Sequence, residues 1–228
     1  FTAKNPSSQL FYSTHSTEFI NKMDLKNVVV MHDGQAFSFM DELDNSARDY
    51  LTKNPNLDLF KLFFSKKCIL FEGISEEMLL RAYIDSRQEL NDIELLSFHK
   101  GFIEIIKIWK IINKDTGNKL GIIRDYDAQE KAKKQHDEYD DGTTICIRTT
   151  SEYTLEPEIV KTGNNYDILK NKYGEIFEWK DMTQDQMEIA WREAKATDML
   201  TICKDIVNGE LSDLQMPNHI QEVFDFLK

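Results

Sequence analysis

The chain has 228 residues, a formal net charge of −12 and 41% hydrophobic residues, among them 14 phenylalanines. This length permits one large domain or a domain with an appendage, and the apolar content is ample for a core. The acidity argues against a protein that simply coats DNA, because affinity for a nucleic-acid backbone comes largely from Lys and Arg side chains that neutralise phosphates. No apolar run reaches the roughly 20 residues that span a bilayer, which argues against a membrane protein.

We expect no targeting signal in the first residues of this sequence. Residues 1–5 lack the basic and apolar regions of a signal peptide, and the chain begins at Phe1 rather than Met. We therefore interpret it as part of a longer, cytoplasmic protein. The cysteines Cys68, Cys146 and Cys203 lie in apolar contexts without metal-ligand spacing, so we expect reduced thiols.

The N-terminal part predicts a series of short elements. In chain order these are a buried strand at 9–13, a helical turn at 17–20, strands at 28–31 and 36–39, a helix at 41–51 and an apolar helical piece at 57–64. Asp33-Gly34 stands between the two central strands and is a hairpin signal. We place the domain boundary near residue 65.

From Lys67 the pattern alternates between strands and helices. The predicted strands are 68–71, 93–98, 119–123 and 144–148. Helices are expected between them, the first capped by Ser75 and the second with Phe102, Ile105, Ile106 and Trp109 on one face. Polar residues 128–142 predict an exposed helix and loop. Such alternation indicates an α/β fold with a mostly parallel sheet and helices on both faces.

The last third of the chain is predicted to be mainly helical. Thr183 to Gln186 fit a capping box that opens a helix. The apolar face of a following helix ends at Asn208-Gly209, a typical helix end. A final amphipathic helix contains Ile220 and Leu227.

Carboxylates follow two of the predicted strands at the point where each strand ends. Glu72 stands directly before a glycine, and Asp125 and Asp127 flank a tyrosine. Open α/β sheets place their sites at the carboxyl ends of strands, and hard divalent cations take oxygen ligands. If strand geometry continues, alternation places Asp125 and Asp127 on one face, with Arg124 as a candidate ion-pair partner. The pattern indicates metal-assisted phosphate chemistry.

The Glu72-Gly73 and Asp125-x-Asp127 motifs resemble those of the Toprim domain, which occurs in topoisomerases, DnaG-type primases and overcoming-lysogenization-defect (OLD) nucleases. Glu76 adds the Glu-x-x-x-Glu pair of the OLD nucleases. A first-turn glutamate is, however, already explained by the helix dipole.

The N-terminal run from Gln9 to Ser16 resembles the last core strand and switch-histidine loop of an ABC-type ATPase, with His15 as the histidine. OLD proteins, including the Gabija-like endonucleases, join such an ATPase to a C-terminal Toprim domain in this order. The resemblance implies an ATPase tail at 1–40, a helical connector at 41–64 and a Toprim nuclease domain at 65–228. The chain has no GxxxxGK[ST] loop, so we do not expect it to hydrolyse ATP by itself.

The resemblance also implies a site. Glu72, Asp125 and Asp127, with Glu76 and an acidic residue after the fourth strand, would bind one or two Mg²⁺ or Mn²⁺ ions. Glu156 is the best match for the last ligand, and Glu158 is the alternative. Lys195 resembles the C-terminal lysine of the family, whose charge would stabilise a phosphoryl transition state. A solvated helix lysine explains Lys195 nearly as well, and Lys204 is the next candidate.

The function implied is a metal-dependent endonuclease that nicks or cuts DNA as an antiphage effector. Its implied partners are the ATPase domain of the same polypeptide, further copies of itself and a helicase-like protein. The net charge favours a rival, a catalytically weak Toprim-like module for binding or assembly. A primase or topoisomerase-type Toprim is a second rival, although the chain has neither a zinc-binding region nor a catalytic tyrosine context.

Overall fold

A computed structural model describes residues 9–20, 22–32, 34–53, 61–62, 64–98, 102–194 and 196–228. None of the helices in these ranges is both long and apolar enough to cross a membrane. The three cysteines are buried and free, in keeping with the expected reduced thiols.

The N-terminal part begins with α1 (Thr17–Ile20) and a short 3-10 helix (Leu25–Asn27), followed by an antiparallel hairpin of β1 (Val29–His32) and β2 (Gln35–Ser38). The hairpin prediction is confirmed, although Asp33 of its turn lies outside the described residues. The predicted strand at 9–13 is wrong, because residues 9–16 have no regular secondary structure. A strand needs a neighbour for its backbone hydrogen bonds, and no described strand pairs with this segment. Accordingly Phe11 is 81% exposed.

The helix predicted at 41–51 is two helices, α2 (Phe39–Glu42) and α3 (Asn45–Lys53). The break follows from Asp44, whose carboxylate accepts hydrogen bonds from the Ala47 amide and the Ser46 hydroxyl, each at 2.8 Å. An aspartate that caps a helix in this way starts a new helix rather than continuing the old one. Most of the helical piece expected at 57–64 lies outside the described residues.

The centre of the molecule is a four-stranded, entirely parallel sheet, which confirms the predicted fold class. Its strands are β3 (Lys67–Phe71), β4 (Ile93–Ser97), β5 (Lys119–Arg124) and β6 (Ile145–Thr149), in the spatial order β4-β3-β5-β6. The connecting helices are α4 (Ile74–Asp85), α5 (Phe102–Ile112) and α6 (Glu130–Asp137), with a 3-10 helix (Gln88–Leu90) before β4. From β3 the chain continues to β4 on one side of the sheet, and from β5 it continues to β6 on the other side. The direction in which strands are added therefore reverses between β3 and β5.

Alternation along β3 separates two hydrophobic cores. Ile69 and Phe71 point into a core shared with α4 and the C-terminal helices. Cys68 and Leu70 point into a second core formed with α5 and α3. A strand buried on both faces explains why β3 is a continuous apolar run.

The described residues after the sheet form the helices α7 (Leu155–Lys161), α8 (Asn165–Tyr173), α9 (Gln184–Ala194), α10 (Ala196–Val207) and α11 (Asn218–Leu227). The predicted capping box is confirmed, because the Thr183 amide donates to Gln186 Oε1 at 2.9 Å and the Gln186 amide donates back to Thr183 Oγ1 at 3.4 Å. α11 packs closely on β5, where a side chain at Gly121 would overlap Val223.

A candidate metal centre at the carboxyl edge of the sheet

The register of the sheet brings the ends of the central strands to one level. Leu70 of β3 pairs with Ile122 of β5. Two residues farther along, Glu72 and Arg124 therefore lie side by side where the strands end. β6 continues this row, because its Thr149 pairs with Arg124. The row borders the point between β3 and β5 where the strand order reverses, which is where open α/β sheets bind their ligands.

Asp125 and Asp127 lie in a turn rather than on a strand. β5 ends at Arg124, and Asp127 has a left-handed backbone with φ +48°, a conformation that aspartate tolerates better than most residues. The strand geometry on which the alternation of Asp125 and Asp127 depended therefore does not continue past Arg124. The Asp127 amide donates to the Tyr153 carbonyl at 3.2 Å, which fixes the turn against the segment after β6.

Glu76 lies in the first turn of α4 and is 6% exposed. The helix begins at Ile74 with Gly73 at the N-cap, so the prediction of Ser75 as the cap was wrong. The φ of Gly73 is −116°, which any residue can adopt. The Glu76 carboxylate lies so close to Gly73 that a Cβ there would displace it. That carboxylate is thus folded back over the turn that follows Glu72.

The structure separates Glu156 from Glu158. Glu156 is 3% exposed in the first turn of α7, and its Oε2 accepts a hydrogen bond from the Thr154 hydroxyl at 3.1 Å. The Glu158 carboxylate instead accepts the amides of Ser151 and Glu152. Glu156 also acts electrostatically on Asp125 and Glu76, whereas Glu158 stabilises a loop.

Four other carboxylates act electrostatically on Asp125 where these strands end. Burial raises the pKa of Asp125 to about 8, and the negative charges of Glu76, Asp127, Glu156 and Glu72 add to the rise. Burial likewise raises the pKa of Glu76, with Glu156 and Glu72 as further causes, while backbone amides oppose the rise. The N-termini of α4 and α7 carry Glu76 and Glu156 in their first turns, where the helix dipole favours negative charge.

Arg124 is a buried cation within this cluster, with a side chain 7% exposed. Its Nε lies 3.5 Å from Glu72 Oε1, so it pairs with Glu72 rather than with one of the aspartates that follow it. Nε and Nη1 make no hydrogen bond among the described atoms, because an ion pair at this distance is not a well-formed hydrogen bond. Sequence reasoning did not find this pair, since only the strand register brings the two residues together.

Thr150 is a further contact that sequence reasoning missed. Its hydroxyl accepts the Tyr126 amide at 2.9 Å and donates to the Glu152 carbonyl at 2.8 Å. A lone threonine after a strand gives no sequence signal of such a role. It links the turn that carries Asp125 and Asp127 to the loop that leads to Glu156.

The two candidate lysines have different outcomes. Lys195 lies outside the described residues. Lys204 lies on α10 and borders a groove that is also lined by Arg81 and Asp85. These two residues belong to the second half of α4, away from Glu76 at the start of that helix. His15 is exposed, with its ring 5.3 Å from that of Phe64.

The donor set fits a hard divalent cation in its chemistry. Carboxylate oxygens are the ligands that Mg²⁺ prefers, and the repulsion that raises the pKa of Asp125 is what a cation would relieve. Among the side chains that the structure describes, no three from His, Cys, Asp and Glu converge closely enough to hold an ion as they stand. Metal binding would therefore require rotation of carboxyl groups that already lie within electrostatic reach.

Residues 63–127 match the family model for the Toprim domain of proteins like the overcoming lysogenization defect protein. The chain contains an OLD-like Toprim domain. The matched part of this Toprim domain runs from β3 to the turn after β5 and includes Glu72, Asp125 and Asp127. Glu156 lies beyond it.

The chain is also 26% identical, over 211 aligned residues, to the endonuclease GajA of Bacillus cereus (strain HuB5-5). This alignment covers 76% of the chain and 30% of GajA, so the chain spans less than a third of that relative's length. No solved structure matches the chain.

Proposed function

We propose that this chain is the nuclease part of an OLD-type protein and that it cleaves DNA phosphodiester bonds with one or two Mg²⁺ or Mn²⁺ ions. The observation that carries the proposal is the buried Asp125 and the four carboxylates that act on it electrostatically, at the switch point of an OLD-like Toprim domain. The similarity to a protein named as an endonuclease supports the reaction class. We further propose that the longer protein couples cleavage to an ATPase domain and acts as an antiphage oligomer with a helicase-like partner.

In this proposal Glu72, Asp125 and Asp127 hold the metal, and Glu76 and Glu156 complete the cluster. A bound Mg²⁺ or Mn²⁺ would activate water and offset the charge that develops on the phosphodiester oxygens. Asp125, with a pKa of about 8, keeps its proton near neutral pH in the metal-free protein. It must release that proton to act as a ligand, so metal affinity should rise with pH. Lys195 remains the proposed cation for the transition state.

A binding module without strong catalysis is the second candidate. It is favoured by the net charge of −12 and by the absence, among the described side chains, of three groups already placed around one point. The match to the OLD-like type of Toprim domain favours neither a primase nor a topoisomerase. Cleavage and metal binding together decide between the nuclease and the binding module.

Asp127→Asn tests the proposal. Asparagine keeps the size of aspartate and tolerates the left-handed backbone of Asp127, so the turn should persist while one metal ligand is lost. The rate at which the variant nicks supercoiled plasmid in Mn²⁺ should be lower than that of the wild type by about 10²-fold or more, the usual effect of losing one electrostatic contact in a transition state. Chelator should abolish nicking by the wild type. Cleavage by the variant at the wild-type rate would contradict the metal centre. Mn²⁺ binding without cleavage by the wild type would favour the binding module.

A further inference from the structure

The two loops that carry the acidic residues meet at Thr150. We name residues 125–129 the β5 loop, which carries Asp125 and Asp127, and residues 150–154 the β6 loop, which leads into α7 and Glu156. The Thr150 hydroxyl accepts the Tyr126 amide of the β5 loop at 2.9 Å and donates to the Glu152 carbonyl of its own loop at 2.8 Å.

Two further backbone contacts lie beside this one, the first to the last residue of β5 and the second between the two loops. The Thr150 amide donates to the Arg124 carbonyl at 2.9 Å, and the Asp127 amide donates to the Tyr153 carbonyl at 3.2 Å. Thr150 is 2% exposed, so solvent does not compete for its hydroxyl. On the far side, the Glu158 carboxylate accepts two amides of the β6 loop. The β6 loop is therefore fixed from both directions, and one hydroxyl joins it to Tyr126.

We propose that Thr150 is a positioning residue that couples the β5 and β6 loops and so sets the spacing between the two aspartates of one loop and Glu156 beyond the other. The coupling itself is a property of the fold, and its consequence for metal binding rests on the proposed function. Crowded carboxylates repel one another, and a ligand set works only if its supporting contacts resist that repulsion. A buried hydroxyl bonded to both loops supplies such resistance.

Three variants test the coupling. Thr150→Val keeps the shape of the side chain and removes the hydroxyl, and Thr150→Ser restores the hydroxyl. The matched control is Thr116→Val, because the Thr116 hydroxyl also donates to a carbonyl, that of Asn113 at 2.9 Å, and accepts an amide, that of Asn118 at 3.1 Å. Thr116 precedes β5 and therefore lies near the amino ends of the strands, at the opposite end of the sheet from the carboxylates. Should Thr150→Val not fold, Thr150→Ala removes the hydroxyl without replacing its bulk.

The first measurement is amide hydrogen exchange in the metal-free chain. Thr150→Val should accelerate exchange at Tyr126 by about tenfold or more, as expected when a hydrogen-bonded amide loses its acceptor. Exchange at Asp127 should also rise, because its bond to the Tyr153 carbonyl joins the same two loops and depends on their spacing. Thr150→Ser should stay close to the wild type, and Thr116→Val should leave both amides unchanged. Unchanged exchange at Asp127 in Thr150→Val would overturn the coupling.

The second measurement is Mn²⁺ affinity by calorimetry. Thr150→Val should bind Mn²⁺ about 10- to 100-fold more weakly, the usual effect of losing a contact that supports metal ligands, and Thr150→Ser should recover most of the affinity. Equal weakening by Thr116→Val would show a general loss of stability and overturn the positioning role. If the wild type binds no Mn²⁺, the proposed function fails, while the exchange measurement still decides whether Thr150 couples the loops.

Discussion

Asp125 shows how burial and charge act together on a single side chain. Its pKa rises from 3.8 to about 8 because it is buried among four other carboxyl groups. The folded chain therefore holds a proton on Asp125 that the unfolded chain releases above about pH 4. Stability from this group is complete at low pH and falls as pH rises toward the folded pKa. In the metal-free protein the site thus opposes folding at neutral and alkaline pH.

Asp125→Asn should remove this pH dependence. In chelator, the variant should gain stability over the wild type, and the gain should grow between about pH 4 and about pH 8, because over this range the unfolded wild type is ionised at Asp125 while the folded wild type keeps its proton. We expect the variant to be more stable by roughly 1–3 kcal/mol at the alkaline end. An isolated group would contribute about 1.4 kcal/mol for each pKa unit, and the gain here is smaller because coupled carboxyls share the repulsion. Denaturant unfolding at several pH values measures the gain. A difference that does not change with pH would show that Asp125 is ionised throughout.

Arg124 offers a test of charge balance in the same cluster. Arg124→Met removes the cation beside Glu72 and should lower the free energy of unfolding in chelator by about 1–3 kcal/mol. Breaking a fully buried ion pair costs about 3–5 kcal/mol, and the loss here should be smaller because the Glu72 side chain is 28% exposed. Added Mn²⁺ should narrow the deficit, since a bound cation supplies the missing charge. Arg124→Lys is the control and should lose less. Equal losses in both variants would assign the effect to packing.

At the scale of secondary-structure elements, close packing of α11 on β5 depends on one glycine. A Cβ at Gly121 would overlap Val223 Cγ1, and it would lie 3.5 Å from Leu227 Cδ1. The Lys119 ammonium also donates to the Phe226 carbonyl at 2.6 Å, which ties the start of β5 to the end of the helix. The last helix of the chain is therefore part of the sheet's packing and covers the face opposite α5.

Gly121→Ala should destabilise the chain by about 1–3 kcal/mol through overpacking. Val223→Ala removes the methyl group in question, so the double variant should be more stable than the sum of the two single changes predicts, by an interaction energy of about 0.5–3 kcal/mol. Thermal unfolding of the two single variants and the double variant measures this term. Strict additivity would mean that α11 shifts as a whole and that the contact is not specific.

At the scale of the whole molecule, the connector shares a core with the Toprim sheet. Leu43, Ala47, Leu51 and Leu62 are buried in the cluster formed with α5. Polar contacts reinforce this packing, because the Lys107 ammonium lies 3.2 Å from the Asp44 carboxylate. The domain boundary near residue 65 remains a prediction, and this packing indicates that the unit able to fold independently begins before α3.

Two shortened chains separate these possibilities. A chain of residues 41–228 should unfold cooperatively near the temperature of the full chain, because it retains both hydrophobic cores. A chain of residues 65–228 should unfold at a lower temperature and bind a hydrophobic dye, because the apolar face of α5 loses its cover. Circular dichroism and dye fluorescence provide the measurements. Equal stability of the two shortened chains would support the boundary at 65.

The sequence by itself determined the elements of the Toprim fold and the identity of the acidic motifs. Apolar runs, helical spacing and capping residues such as Thr183 act within about one helical turn, so local reasoning located all four strands of the central sheet. The Glu72 and Asp125-x-Asp127 motifs are equally local. Their positions directly after strands were enough to predict that they meet at one edge, because the ends of parallel strands lie together.

Only the tertiary structure decided how the site is held. The segment at 9–13 has the composition of a strand but no described neighbour, and a strand exists only through its hydrogen-bonded partner. The pairing of Arg124 with Glu72 follows from the register of β3 and β5. The hydrogen bonds of Glu158 to the β6 loop and the electrostatic reach of Glu156 to Asp125 follow from how α7 packs against that loop. The bond between Tyr126 and Thr150 joins residues 24 positions apart. Contacts across such separations depend on how elements pack, which local sequence patterns do not encode.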